Sequence, residues 1–145
     1  AEAGALAKQL ADAGLKVTLA LDDAALDHAF LTAGGPAAEG ALFAFPPDPA
    51  KVASAAPVLA AYKQRFGTTA SLYALSTYDS VRLLADALAR AGSTDGDQLR
   101  RALAGTSTFQ GAYWGVMTFD AKHDLQARTY VLWTVRGGTF EQVGA

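Results

Sequence analysis

A dense polar cluster, Asp22–Asp23, stands directly after the apolar run LKVTLAL, with Asp27 one helical turn further on. Carboxylates in that position can receive a ligand ammonium, hold a divalent cation, or cap the next helix by accepting its first amide N–H groups. One residue suffices for a cap, so the second carboxylate is the informative one. An acidic pair after a first strand is also how a phosphoacceptor receiver domain begins, where it holds magnesium, and VTLALDDAAL fits such a start. The rest of the chain does not follow. The next strand runs into FAFPPDP instead of an exposed acceptor aspartate, and no Lys-Pro follows a later strand.

Other chemistry finds little support. There is no cysteine, which excludes disulfides, thiolate metal sites and cysteine nucleophiles. His28 and His123 lie far apart in sequence, and neither a Gly-x-Ser-x-Gly elbow nor a Gly-x-Gly-x-x-Gly loop occurs. His28 reads as a helix-surface residue and His123, in AKHDL, as a solvated turn residue. Lys63 and Arg65 fit a solvated helix face, and Trp114 and Trp133, which flank strands, fit packing roles. No catalytic residue, metal site or cofactor is expected.

The elements that must position the acidic pair can be read from periodicity and stop signals. Ala3, Leu6, Ala7 and Leu10 recur at helical spacing before Gly14, so the first segment is a helix. LKVTLAL is expected as a buried strand, DDAALDHAFLTAGG as a helix opened by its aspartates, and Gly40–Phe45 as a second strand. This αβαβ order predicts an α/β fold, a parallel sheet flanked by helices. Pro46, Pro47 and Pro49 then impose an extended linker. Ser54 is placed to cap a helix running to about Phe66, and Ser71–Ala91 is the longest helix, with an apolar stripe of Leu84, Ala87, Leu88 and Ala91. A short helix follows, with Leu99, Ala102 and Leu103 inward. The last third is β: WGVMTFD is expected to alternate around Val116 and Phe119. Thr129–Val135 and Thr139–Val143 form a C-terminal hairpin around Gly137–Gly138.

The composition bounds the partners. With 145 residues, 51% of them hydrophobic, and a net charge of −2, the chain is long enough to bury a core and too apolar to stay disordered. An isoelectric point near 5.6 and scattered Lys and Arg speak against nucleic acid. No apolar run approaches the roughly 18 residues that would span a bilayer.

Taken in order, GLKVTLALDD, AGGPAAEGALFAFPPDPAK, AAYKQRFG, SLYALSTYDSVRLLADALARAGSTDGDQLRRAL and MTFDAKHDL resemble the branched-chain amino-acid binding proteins of ABC importers. These are type I periplasmic binding proteins, two α/β lobes joined by three crossovers and closing on a ligand between them. The resemblance runs nearly end to end but covers only the carboxyl-terminal part of such a protein. It implies a non-catalytic, extracytoplasmic or periplasmic solute-binding role: an amino acid as ligand, ABC transporter membrane subunits as partners, and a secretion signal outside this chain. An extracellular sensing or interaction module with the same fold is the alternative.

The resemblance also implies site residues. Alignment through Gly14-Leu15-Lys16 places Asp23 where the family holds the ligand's α-ammonium, with Asp22 as second choice. Leu21, where a glycine is common, and Ala24 depart from the pattern, which points to a tighter loop and a different ligand type. Residues 1–45 are expected in the second lobe, 46–52 as a hinge-like linker, 53–113 as helices of the first lobe, and 114–145 as the hinge-return strand and hairpin. Phe45, Pro46, Pro47, Thr118 and Phe119 are the expected hinge residues. Holding pieces of both lobes, the chain is either part of a longer protein or completes its sheets by self-association.

Overall fold

A computed structural model describes residues 1–126 and 130–143. In chain order the elements are α1 (Glu2–Asp12), β1 (Ala20–Leu21), α2 (His28–Gly34), β2 (Leu42–Phe45), α3 (Ala56–Phe66) and α4 (Ala74–Ala91). They continue with α5 (Gly96–Ala104), β3 (Phe109–Gln110), β4 (Val116–Met117), β5 (Val131–Arg136) and β6 (Thr139–Val143). The chain divides into two compact units, Ala1–Pro47 with Tyr130–Ala145, and Asp48–Thr129.

The first unit is built on a four-stranded mixed sheet ordered β1-β2-β5-β6. β1 and β2 run parallel, with Ala20 beside Leu42 and Leu21 beside Phe43. The C-terminal hairpin forms as expected, its turn made by Gly137 and Gly138 at φ 57° and 72°. Two successive residues of positive φ give the twist that a tight hairpin needs, and only glycine adopts both cheaply. The hairpin does not stand apart. β5 lies antiparallel to β2, pairing Phe43 with Trp133 and Phe45 with Val131. A lone hairpin is marginal in water, whereas docked on β2 it buries Trp133 and Val135. Phe30 of α2, Phe43 and Phe140 meet over that face, Phe43 edge-on to both others at centroid distances of 5.1 and 5.3 Å. Such pairs add about 0.5–1.5 kcal/mol beyond the area they bury. The carboxylate of Glu39 ties down the hairpin turn, accepting from the Gly137 and Gly138 N–H groups at 2.9 and 3.3 Å.

LKVTLAL departs from its expectation. Only Ala20–Leu21 are laddered, and Leu15 and Val17 are exposed. Residues 15–18 precede the laddered part of β1 and are exposed, whereas Leu19 is half-buried and its carbonyl accepts from Leu42 N–H at 2.8 Å.

α1 crosses α2 closely at Gly4. A Cβ on Gly4 would sit 2.6 Å from the Phe30 carbonyl oxygen and 2.9 Å from Ala33 Cβ. Gly4→Val is therefore expected to destabilise the first unit by about 1–3 kcal/mol, the usual cost of overpacking. A chemical denaturation series reads the shift in midpoint, and an unchanged midpoint would mean the helices separate freely.

The second unit is mainly helical. Ala55, Leu75 and Tyr113 form its core, with Val52, Val58, Leu59 and Trp114 packed around them. Burial, with a smaller contribution from the Asp48 charge, pushes the Tyr113 phenol above its ordinary pKa. Ser54 does not cap α3. Its hydroxyl donates to the Ala112 carbonyl at 2.7 Å, 58 positions away in sequence, and α3 begins without a side-chain cap. α4 buries Leu75, Asp79, Leu83 and Ala87, a strict four-residue spacing. Of the expected stripe Ala87 is buried, while Leu84 and Leu88 are 46% and 38% exposed. Arg90 joins α4 to α5, donating to Asp86, the Ala102 carbonyl and the Thr106 hydroxyl at 2.8, 2.6 and 2.8 Å.

Asp79 is fully buried among apolar neighbours. Its Oδ1 accepts from Ala112 N–H at 2.7 Å, and its Oδ2 from Tyr113 and Trp114 N–H at 2.7 and 3.1 Å. Three amide donors replace the water that a buried carboxylate loses. Gly111 makes the approach possible, because a Cβ there would lie 2.5 Å from Asp79 Oδ2. Beyond this turn β4 is only two residues long, and Met117 is its buried residue; Val116, expected inward, points to solvent. The expected strand start at Thr129 lies outside the described residues.

Candidate functional site

Parallel pairing puts the carboxyl ends of β1 and β2 on one edge of the first unit's sheet. Asp22 and Asp23 follow β1 there, and Pro46 and Pro47 follow Phe45 of β2. The antiparallel pair Phe45–Val131 brings the start of β5 to the same edge. The expected long helix from Asp22 is instead a 3-10 turn, Asp23–Ala25, followed by α2. Leu26, just past the turn, is buried and anchors it to the core.

The division of labour among the three aspartates is clear. Asp27 caps α2, its Oδ1 accepting from Phe30 N–H at 2.8 Å. Asp22 is exposed, with extended backbone, and makes no side-chain cap to the turn it precedes. Asp23 is half-buried in the first position of that turn. The cap of α2 is thus supplied by Asp27, and Asp22 supplies none to the turn before it. The other wall of the edge is rigid. Phe45 is buried edge-on against Trp133 at 6.2 Å, and the Trp133 indole N–H donates to the Pro46 carbonyl at 3.0 Å. Trp133 therefore holds the backbone where the chain leaves the sheet, a role its sequence position hinted at only as packing. Thr118 and Phe119 belong to the second unit, where Phe119 is bridged to Leu125.

His28 is exposed at the first position of α2, and His123 is exposed in a turn with a φ of 68°. Among the described residues no group of three His, Asp or Glu side chains could hold a metal ion, and no helix is long and apolar enough to cross a membrane.

The periplasmic binding protein family profile matches residues 1–139. The chain belongs to the periplasmic binding protein family. Among curated relatives it is 31% identical over 132 residues to Leu/Ile/Val-binding protein homolog 1 of Brucella suis biovar 1, covering 91% of this chain and 35% of the relative. It is likewise 31% identical over 137 residues to Leu/Ile/Val-binding protein homolog 2 of Brucella abortus, covering 94% and 36%. Among solved structures, the leucine binding protein LivK of Thermotoga maritima superposes with a TM-score of 0.83 at 26% identity, covering 99% of this chain and 41% of that one. The branched-chain amino acid substrate binding protein LivJ of Streptococcus pneumoniae, in complex with isoleucine, gives 0.74 at 27%, covering 98% and 41%. The chain thus spans about a third of the length of these curated relatives. The expected α/β fold of a type I binding protein, including a parallel strand pair flanked by helices, agrees with these structures.

Proposed function

We propose that the chain is the carboxyl-terminal portion of a solute-binding protein that delivers amino acids, of the branched-chain type or related, to the membrane subunits of an ABC transporter. The role is non-catalytic: ligand binding drives lobe closure, and the membrane subunits sense the closed form. The protein works outside the cytoplasm on this reading. The observation that carries it is the family match over residues 1–139, with relatives named for leucine, isoleucine and valine binding. Asp23, with Asp22 beside it, is the anchor for the ligand's α-ammonium. Its half-buried position at the sheet edge supports this, because partial desolvation strengthens a charged hydrogen bond while leaving the carboxylate reachable.

On the same reading residues 1–45 belong to the second lobe, 46–52 form a hinge-like linker with Phe45, Pro46 and Pro47 at its start, 53–113 belong to the first lobe, and 114–145 return through Thr118 and Phe119 to the hairpin. Calorimetric titration of leucine, isoleucine and valine into the full-length protein tests the function. Saturable heats from at least one of them are expected, and no heat from any of the three would overturn it.

Self-association of the 145-residue chain is a further part of the proposal. The edge at residues 15–19 exposes Leu15 and Val17, and the outer sheet face exposes the paired residues Leu132 and Val143. α4 exposes Val81, Leu84 and Leu88. Unpaired edges and apolar faces invite a second copy. Light scattering over a concentration series is expected to give a mass above 15.0 kDa that rises with concentration. A constant monomer mass would mean these surfaces remain solvated.

A further inference from the structure

We propose that a pocket in the second unit, between α5 and the hairpin Phe119–Leu125, binds a small carboxylate bearing an apolar group of about the size of a benzene ring. This goes beyond the amino-acid site, whose candidate residues Asp22 and Asp23 lie in the first unit. The cavity has a volume of about 220 Å³ and is lined by Leu103, Ala104, Phe119, Arg100 and His123. It is an open depression, with Arg100, Ala104 and His123 exposed at its rim, and its volume admits a ring with its carboxylate turned to that rim. Leu103, Ala104 and Phe119 supply the apolar wall that favours desolvating the ring.

The two polar lining side chains decide the class of ligand. A guanidinium and an imidazole both offer N–H groups to oxygen, and among the described residues no acidic side chain lines the cavity. The ion partner of Arg100 is Asp97, one turn earlier on the same helix and 3.7 Å away, with side chains 62% and 75% exposed. A solvated pair of that length contributes little and yields readily to a bidentate carboxylate. His123 is held ready by its loop. Its backbone has φ 68°, and its N–H donates to the Asp120 carbonyl at 3.0 Å. The Asp120 carboxylate accepts from the Lys122 and Asp124 N–H groups at 2.8 and 2.9 Å, and Asp120 N–H donates to the Asp124 carbonyl at 3.0 Å. With the bridge between Phe119 and Leu125, these bonds set the backbone that carries two of the five lining residues.

The test is a titration of the protein with sodium benzoate, followed by NMR at the Phe119 ring and the His123 imidazole. Saturable shifts at both are expected in the millimolar range, well within what so small a ligand can reach. Arg100→Gln, a surface substitution, is expected to weaken binding at least tenfold, and benzamide, of the same shape without the charge, to bind at least tenfold more weakly than benzoate. Ala104→Trp, which fills the cavity, is expected to abolish the shifts. Linear, non-saturating shifts would overturn the proposal, as would equal affinity for benzamide and benzoate or full retention of binding in Arg100→Gln.

Discussion

Asp79→Ala is expected to lower the unfolding free energy by about 3–5 kcal/mol, the largest stability effect of any single substitution in the second unit. The carboxylate is fully buried and accepts three backbone N–H groups, from Ala112, Tyr113 and Trp114. Hydrogen bonds to a charged acceptor contribute about 1.5–3 kcal/mol each, and every orphaned buried donor carries a desolvation cost of its own. Part of the sum is recovered because the freed turn can open to water. Asp79→Asn is expected to fall between wild type and alanine, since an amide oxygen still accepts while its NH₂ group opposes the remaining donors. Gly111→Ala offers an independent check, because its added Cβ would press on Asp79 Oδ2. In the Asp79→Ala background that clash disappears, so the double variant should lose clearly less than the sum of the single losses. Urea or guanidinium denaturation reads the wild type and all four variants. Additive losses, or an unchanged midpoint for Asp79→Ala, would show that the 111–114 turn holds itself without the carboxylate.

Asp23→Asn carries the largest expected effect on binding. If Asp23 receives the ligand ammonium as proposed, the substitution in the full-length protein should weaken amino-acid affinity about ten- to a hundredfold, the loss of one charge-assisted hydrogen bond. Stability should change little, because the cap of α2 is supplied by Asp27 and stays in place. The same change at Asp22, which is exposed and precedes the turn, should have a smaller effect on affinity. Calorimetry separates the cases. Wild-type affinity in Asp23→Asn would remove it from the ligand site, and a larger loss at Asp22 would reverse the order of the pair.

Much of this architecture is legible in the order of residues, and the legible features share a local cause. The positions of α1 and α4, the proline exit after Phe45 and the Gly137–Gly138 turn all depend on residues within a few positions of one another. Backbone propensity and side-chain periodicity act over that range, so the residue string determines them. The ordered set of segments likewise identified the family, and the acidic pair marked the sheet edge now proposed for the ligand. What the tertiary structure alone decided depends on partners distant in sequence. Asp79 reads as one polar residue in a helix until the 111–114 turn arrives to use it. Ser54 reads as a helix cap until the Ala112 carbonyl comes within reach. LKVTLAL reads as a seven-residue strand, yet only Ala20–Leu21 are laddered, and the run carries no information about which neighbour will be there. The C-terminal hairpin could be placed but not docked, because its antiparallel seat on β2 is set by Phe43, Trp133 and Phe140 finding one another across more than eighty residues of chain. A side chain's local preference is a property of its neighbours in sequence. Its partner in the fold is a property of the whole packed chain.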